Sequence, residues 1–127
     1  MAIISFIINS DISLEFAKQI KNNNNFEIHG LAVDNSLDSK LKDSKIFTKI
    51  HKKLNSLASH DIIFIDCMVK YRNEIIQTLI KNNDKKLLIV DFTPAKSKAI
   101  EWANENLNNN ISYVSAFLVS NINIQYS

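Results

Sequence analysis

Glycine and proline are nearly missing from this chain: its 127 residues contain one of each, Gly30 and Pro94. No Gly- or Pro-rich linker, repeat or low-complexity junction therefore divides it, and it reads as one domain over residues 1–127. Asparagine takes over where turns are needed, in runs such as Asn22-Asn23-Asn24-Asn25 and Asn108-Asn109-Asn110. Asn tolerates left-handed backbone better than other residues with a Cβ, and an AT-rich coding sequence is sufficient to explain the bias. Cysteine is also scarce. The single Cys67 excludes an internal disulfide and fits a reducing, cytoplasmic compartment. Neither sign of charge dominates, and a net charge of +2 is too small to argue for nucleic acid or a membrane surface. Long apolar runs are missing too. Ala2–Ile8 lacks a basic leader and is too short for a signal or membrane segment, so it reads as a first strand.

With 46% apolar and 22% charged residues, the rest of the composition is that of an ordinary globular protein. Strand-like and helix-like patterns alternate along it. Ile3–Ile8 is a continuous apolar run, as expected of a strand buried on both faces. A helix follows, with Ile12, Phe16 and Ile20 recurring every four residues and Ser10 or Asp11 as its N-cap. Phe26–Val33 reads as a second strand, the lysine-rich Asp34–Lys45 as a polar connection, and Ile46–Lys49 as a short strand. Ile50, Leu54, Leu57 and Ala58 mark another helix. Asp61–Asp66 is the clearest buried strand, followed by a helix carrying Ile75, Ile76, Leu79 and Ile80. Leu87–Val90, a helix with Ile100, Ala103 and Leu107, and the strand Ser112–Val119 complete the alternation. The last segment, Asn121–Tyr126, alternates apolar and polar residues like an edge strand. Strands separated by helices imply right-handed crossovers, hence an α/β domain with a mostly parallel sheet of about six strands and helices on both faces.

On these residues the chain resembles the Rossmann-type cofactor domains of NAD(P)-dependent oxidoreductases, in particular the 3-hydroxyisobutyrate dehydrogenase-like, dihydrodipicolinate reductase and homoserine dehydrogenase families. Ser5-Phe6-Ile7-Ile8-Asn9-Ser10-Asp11-Ile12-Ser13 falls without gaps on their first strand and glycine-rich turn. Phe26–Asp34 is similar to the reductases' second strand, which ends near an acid. Ile89-Val90-Asp91-Phe92-Thr93 resembles a strand ending Val-Asp-Met-Ser-Thr, and Ile111–Ala116 the strand after it. The resemblance implies a Rossmann-like fold, NAD or NADP as cofactor, and a role for Asp34 in accepting from a ribose hydroxyl. It places Asn9, Ser10, Asp11, Ile12, Asp34, Cys67, Met68 and Thr93 around the cofactor, and it implies a separate catalytic domain that these residues do not include.

The departures from that pattern carry their own expectation. Ile8, Ser10 and Ser13 occupy the three positions of Gly-x-Gly-x-x-Gly, whose glycines permit the turn, the approach of pyrophosphate and close helix–strand packing. Asp11 adds a negative charge at a helix N-terminus where a phosphate would sit. Weak or absent cofactor binding follows, and with it a second reading, a non-catalytic interaction or structural module that has given the cofactor up.

Four aspartates, Asp11, Asp34, Asp66 and Asp91, fall at strand ends, where each either caps a turn or contributes to a ligand crevice. A third reading takes them as the magnesium and phosphoacceptor cluster of a receiver domain, with Asp66 as acceptor. Against it stand the long segment before Asp61 and the lack of a Lys-Pro at the Ser112–Val119 strand. Cys67 reads as an inert thiol at the core edge. His29, His51 and His60 show no ligand spacing, so no metal site is expected. Lys40, Lys42, Lys45, Lys49, Lys52 and Lys53 read as a solvated face or as a catch for a 2′-phosphate. Trp102 falls off its helix's apolar stripe and is expected to be partly exposed. Because Asn121–Tyr126 has neither charge nor proline, it is a candidate edge for a second copy or a partner chain.

Overall fold

The computed structural model describes residues 2–23, 26–57, 59–83, 85–93, 101–103, 105, 107 and 110–118. Six strands form one sheet: β1 (Ile3–Ile8), β2 (Glu27–Ala32), β3 (Lys49–His51), β4 (Ile62–Ile65), β5 (Leu87–Asp91) and β6 (Ile111–Ser115). All neighbouring pairs are parallel, in the order β3-β2-β1-β4-β5-β6. Chain order runs outward from β1 to β3, then restarts at β4 and runs the other way. This is the doubly wound Rossmann order. Receiver domains use a different one, 2-1-3-4-5, so the topology removes the receiver reading.

Alternation within the strands sorts side chains onto two faces. Ile4, Phe6, Ile8 and Ile28 pack with Leu14 and Ala17 of α1 (Asp11–Asn23) and Leu41 of α2 (Asp38–Ser44). On the opposite face Ile7, Leu31, Ile63, Ile65 and Ile89 pack with Ile76 and Leu79 of α3 (Val69–Lys81) and with Leu57. Continuous apolar strands arise because both faces are covered. Four phenylalanines reinforce the first face: Phe16 of α1 meets Phe6, Phe64 and Phe92 edge-on, at ring-centroid distances of 6.0, 5.1 and 5.3 Å.

Four elements differ from the sequence expectation. The simplest is β6, expected over Ser112–Val119, which runs from Ile111 to Ser115 and leaves residues 116–118 outside the strand. The face of α1 that meets the sheet carries Leu14 and Ala17, with Phe16 and Ile20 at its flanks, while Ile12 is 46% exposed. Small residues at positions 13 and 17 let this helix sit close to β1, which a four-residue apolar count does not register. The lysine-rich connection contains α2, about two amphipathic turns whose one buried side chain is Leu41. Its last residue is followed by Lys45 in the left-handed region (φ 58°), the only positive φ among the described residues. Finally, β3 begins three residues later than expected and ends two later. Ile50 belongs to it rather than to a helix, and Leu54–Leu57 forms a single 3-10 turn. Residues 101–103 and 105 are helical, with Trp102 half-buried against the core. The Asn121–Tyr126 edge lies outside the described residues.

Gly30 is placed by packing, not by backbone conformation. A Cβ there would stand 2.9 Å from the Phe47 ring, which lies over β2. Gly30→Val should therefore destabilise the domain by about 1–3 kcal/mol through displacement of that ring. In a Phe47→Ala background the same change should be neutral or stabilising, since a β-branched residue then gains strand packing. Urea unfolding of the four proteins in this cycle reads the coupling directly; equal costs in both backgrounds would remove Phe47 as the cause.

Candidate functional site

In open α/β sheets ligands sit beyond the carboxyl ends of the strands, where strand order reverses. Here that point lies between β1 and β4. Backbone hydrogen bonds carry the sheet one step past the strands on either side of it: Val33 N–H to Ile8 O (2.9 Å), Asp66 N–H to Ile7 O (3.0 Å) and Phe92 N–H to Ile65 O (2.8 Å). The segments beginning at Asn9, Val33, Asp66 and Phe92 are thereby held side by side.

A cleft of about 640 Å³ opens on the α3 side of this edge. Its walls are Ile7, Leu31, Val33, Leu54 and Ile75, and its rim carries Asn9, Asp34, Lys52, Met68, Tyr71 and Glu74. Volume and an apolar wall with a few polar groups suit a small ligand. Asp34, just beyond β2, accepts from Ser36 N–H at 3.0 Å and so caps the 3-10 turn Asn35–Leu37; a carboxylate has further lone pairs to offer a ligand. Met68 is 51% exposed at the opposite lip.

The turn after β1 is organised without glycine. Ser10 caps α1: its hydroxyl accepts from Ser13 N–H at 3.3 Å and its carbonyl from Leu14 N–H at 3.2 Å. The same hydroxyl donates to Asp66 Oδ2 at 2.7 Å, tying the β1 turn to the end of β4. Ser13 is buried and donates to Ser10 O. Asp11 is exposed at the helix start and pairs with Lys40 of α2 at 3.0 Å. Lys52 pairs likewise with Asp38 at 3.0 Å, so two of the clustered lysines are engaged by nearby acids. Ile8, at the first glycine position, is 1% exposed and fills the layer beneath α1.

Cys67 and Thr93 form a buried pair beneath the edge, Sγ to Oγ1 3.5 Å. Burial pushes the Cys67 thiol above its ordinary pKa, with Asp91 and Asp66 adding to it and Thr93 and Arg72 opposing it; a protonated thiol is a poor nucleophile. Asp91, wholly buried at the end of β5, accepts from Thr93 N–H at 2.8 Å and from the Tyr113 hydroxyl. Burial, and then the Asp91 carboxylate, raise the Tyr113 pKa, keeping that hydroxyl a donor.

Of the residues expected around a cofactor, Asn9, Asp34 and Met68 line the cleft, Ser10, Asp11 and Ile12 form the start of α1, and Cys67 and Thr93 are buried and do not line it. Two features had no sequence signal. One is Arg72, buried in α3, whose Nη1 has no hydrogen-bond partner. The other is the meeting of His29, His51 and His60, spaced irregularly in sequence, on the α3 face of β2 and β3. Burial lowers the pKa of His51, helped by His29 and Lys49. Burial also lowers that of His60 to about 4, helped by His29, His51 and Lys85 against Asp61.

No protein-family model matches the chain, and no curated protein matches it in sequence. Solved structures do match in fold. A prephenate dehydrogenase from A. aeolicus, determined with hydroxyphenyl propionate and NAD+, superposes with a TM-score of 0.75 at 18% identity, over 87% of this chain and 40% of its own. The 3-hydroxyisobutyrate dehydrogenase of Mycobacterium tuberculosis gives 0.79 at 10% identity, over 97% and 42%. An imine reductase from Myxococcus stipitatus, in complex with NADP+, gives 0.69 at 12% identity, over 88% and 39%. The chain thus spans about two-fifths of each of these proteins, and what it shares with them is the Rossmann fold.

Proposed function

We propose that this chain is an NAD(P)-binding-type Rossmann domain of oxidoreductase descent that keeps the nucleoside side of its cleft and has closed the pyrophosphate turn. The observation that carries the reading is the cleft at the switch point, with Asp34 on its rim just beyond β2. An acid in that position accepts from a ribose hydroxyl, and the apolar wall of Ile7, Leu31 and Val33 suits a stacked base. The NAD(P) named for the fold neighbours supports the same class of ligand. For an intact dinucleotide the residues fit on one side only. The Ser10 hydroxyl already occupies the Ser13 N–H and binds Asp66, and Asp11 puts a carboxylate beside the free helix N-terminus. When bound, the cofactor would supply hydride chemistry; Asp34 and the cleft walls would hold and orient its nucleoside end.

Titration with NADH, NADPH and AMP tests this. AMP and NADH should bind weakly, and Asp34→Ala should weaken both. Removing the charge with Asp11→Asn, alone and with Ser10→Gly, should strengthen dinucleotide binding by roughly three- to tenfold, the scale of a charge at a helix end plus a relieved contact. Micromolar NADH binding to the unmodified chain would contradict the closed turn. No binding by any of these proteins would favour the second reading, an interaction module. Two contacts give that reading its support, since Ser10–Asp66 and Asp11–Lys40 complete the turn with protein groups alone.

A further inference from the structure

His29 lies in the middle of β2, His51 ends β3, and His60 follows the 3-10 turn on the approach to β4. Parallel register sets Ser5 of β1 opposite His29, and Leu31, two residues on, opposite His51. Ser5, His29 and His51 therefore share the α3 face, and His60 comes up beneath them. The three rings are 7%, 7% and 5% exposed, with centroids 4.7–5.4 Å apart. One ligating nitrogen from each lies within 4.8 Å of the other two.

Two details are hard to reconcile with an ordinary buried polar cluster. His29 Nδ1 stands 2.7 Å from His51 Nε2, so at least one of these nitrogens carries no proton and has a lone pair that a cation could take in place of the other ring's N–H. His29 Nε2 is buried without a hydrogen-bond partner. Three imidazoles in a core face have no advantage over apolar residues unless their polar atoms are satisfied.

We infer that His29, His51 and His60 form a binding site for a transition-metal dication of the zinc class, ligated through His29 Nδ1, His51 Nε2 and His60 Nε2. Imidazole suits zinc, copper and nickel, and three histidines leave a fourth position for water. The surroundings supply outer contacts of the kind that orient ligating histidines. The Ser5 hydroxyl holds His60 Nδ1, which leaves Nε2 as that ring's ligand. With Nδ1 of His29 on the metal, its orphaned Nε2–H faces the Glu27 carboxylate, 3.6 Å away, as a carboxylate–histidine–metal relay. Tetrahedral bonds of about 2.0–2.1 Å place ligand nitrogens about 3.3 Å apart, so the His29–His51 pair opens slightly and His60 closes in.

His51 and His60 bracket the segment that contributes Lys52 and Leu54 to the cleft. A metal at this point would clip that segment to β2, fixing one wall of the nucleotide cleft from behind.

The untagged full chain, stripped with a chelator and dialysed, is titrated with zinc against a chromophoric competitor, and separately with cobalt(II). One zinc per chain, micromolar or tighter, and visible cobalt d–d bands of a low-coordinate nitrogen site are expected. Zinc at a hundredfold excess over its Kd should raise Tm by about 10 °C. His51→Gln and His60→Gln should abolish the cobalt bands. Absence of both zinc binding and cobalt bands in the wild-type chain overturns the site, and this arm needs no variant to fold. Zinc affinity that survives in the His29→Gln/His51→Gln/His60→Gln chain overturns it equally, since the ion would then lie elsewhere.

Discussion

Lowering the pH from about 6.5 to about 4 in the presence of a chelator is expected to cost the fold about 3 kcal/mol, with His60 as the leading member of the titrating cluster. In the unfolded chain this imidazole takes up its proton near pH 6.5; in the folded chain it resists protonation until about pH 4. Between those values the unfolded state binds more protons, so stability rises with pH across the window. It is full above about 6.5 and lost as the pH falls toward 4. The cause is burial first, then the facing His29 and His51 and the Lys85 cation, with Asp61 alone acting the other way. His51, lowered by burial, His29 and Lys49, adds a loss of the same sign. Because the rings stand in contact, the loss belongs to the cluster rather than to one member. The window also separates this effect from Asp61. Its pKa lies below the usual carboxylate value through the Ile3 N–H bond and Lys85, so its contribution disappears only at more acid pH. Urea midpoints at several pH values, for the wild type and His60→Gln, provide the check. A wild-type curve that is flat across this range, or a His60→Gln curve just as steep, would show that the ring is not the titrating group.

The architecture was readable because cover on both faces writes itself into Ile3–Ile8, interrupted only by Ser5, and Ile62–Ile65 as apolar runs. The order of the strands was not readable, as periodicity says nothing about which neighbours pair. Only the observed pairing of β1 with both β2 and β4 removes the receiver alternative. Short elements were misread for a definite reason. Ile50, Leu54 and Leu57 carry helical spacing, yet Ile50 is claimed by pairing with Gly30 and only Leu57 is wholly buried. Tertiary pairing overrides a three-residue pattern. The candidate site splits along the same line. Asn9, Asp34 and Met68 could be placed from strand ends, since the cleft lies where strands stop. The histidines could not, because 22 residues separate His29 from His51 and it is the β2–β3 register that closes the distance.

Replacing Ile8 with glycine, the residue that the dinucleotide fingerprint has at this position, is expected to cost about 4 kcal/mol. Ile8 is the last residue of β1, pairs with Ala32, and is 1% exposed in the core layer with Leu14 and Ala17 of α1. Truncating such a side chain to a methyl group costs about 2–5 kcal/mol in lost transfer energy and cavity. Glycine in a strand adds roughly 0.5–1 kcal/mol of backbone entropy. The change gives back no strain, because the turn that follows has no residue in the left-handed region and so needs no glycine. In a small domain of ordinary stability this is a large share of the total. Restoring the first fingerprint glycine would therefore remove most of the domain's stability before it created a phosphate site, whereas Asp11 is exposed and its substitution removes a surface ion pair and one favourable charge in the first turn of α1. Glycine-free closure of the turn has become part of the core. Urea unfolding of Ile8→Gly and Asp11→Asn, with circular dichroism to confirm native secondary structure, separates the two. A loss below about 2 kcal/mol for Ile8→Gly would mean that α1 settles onto β1 and refills the space. In that case the turn would remain open to reconstruction as an anion site.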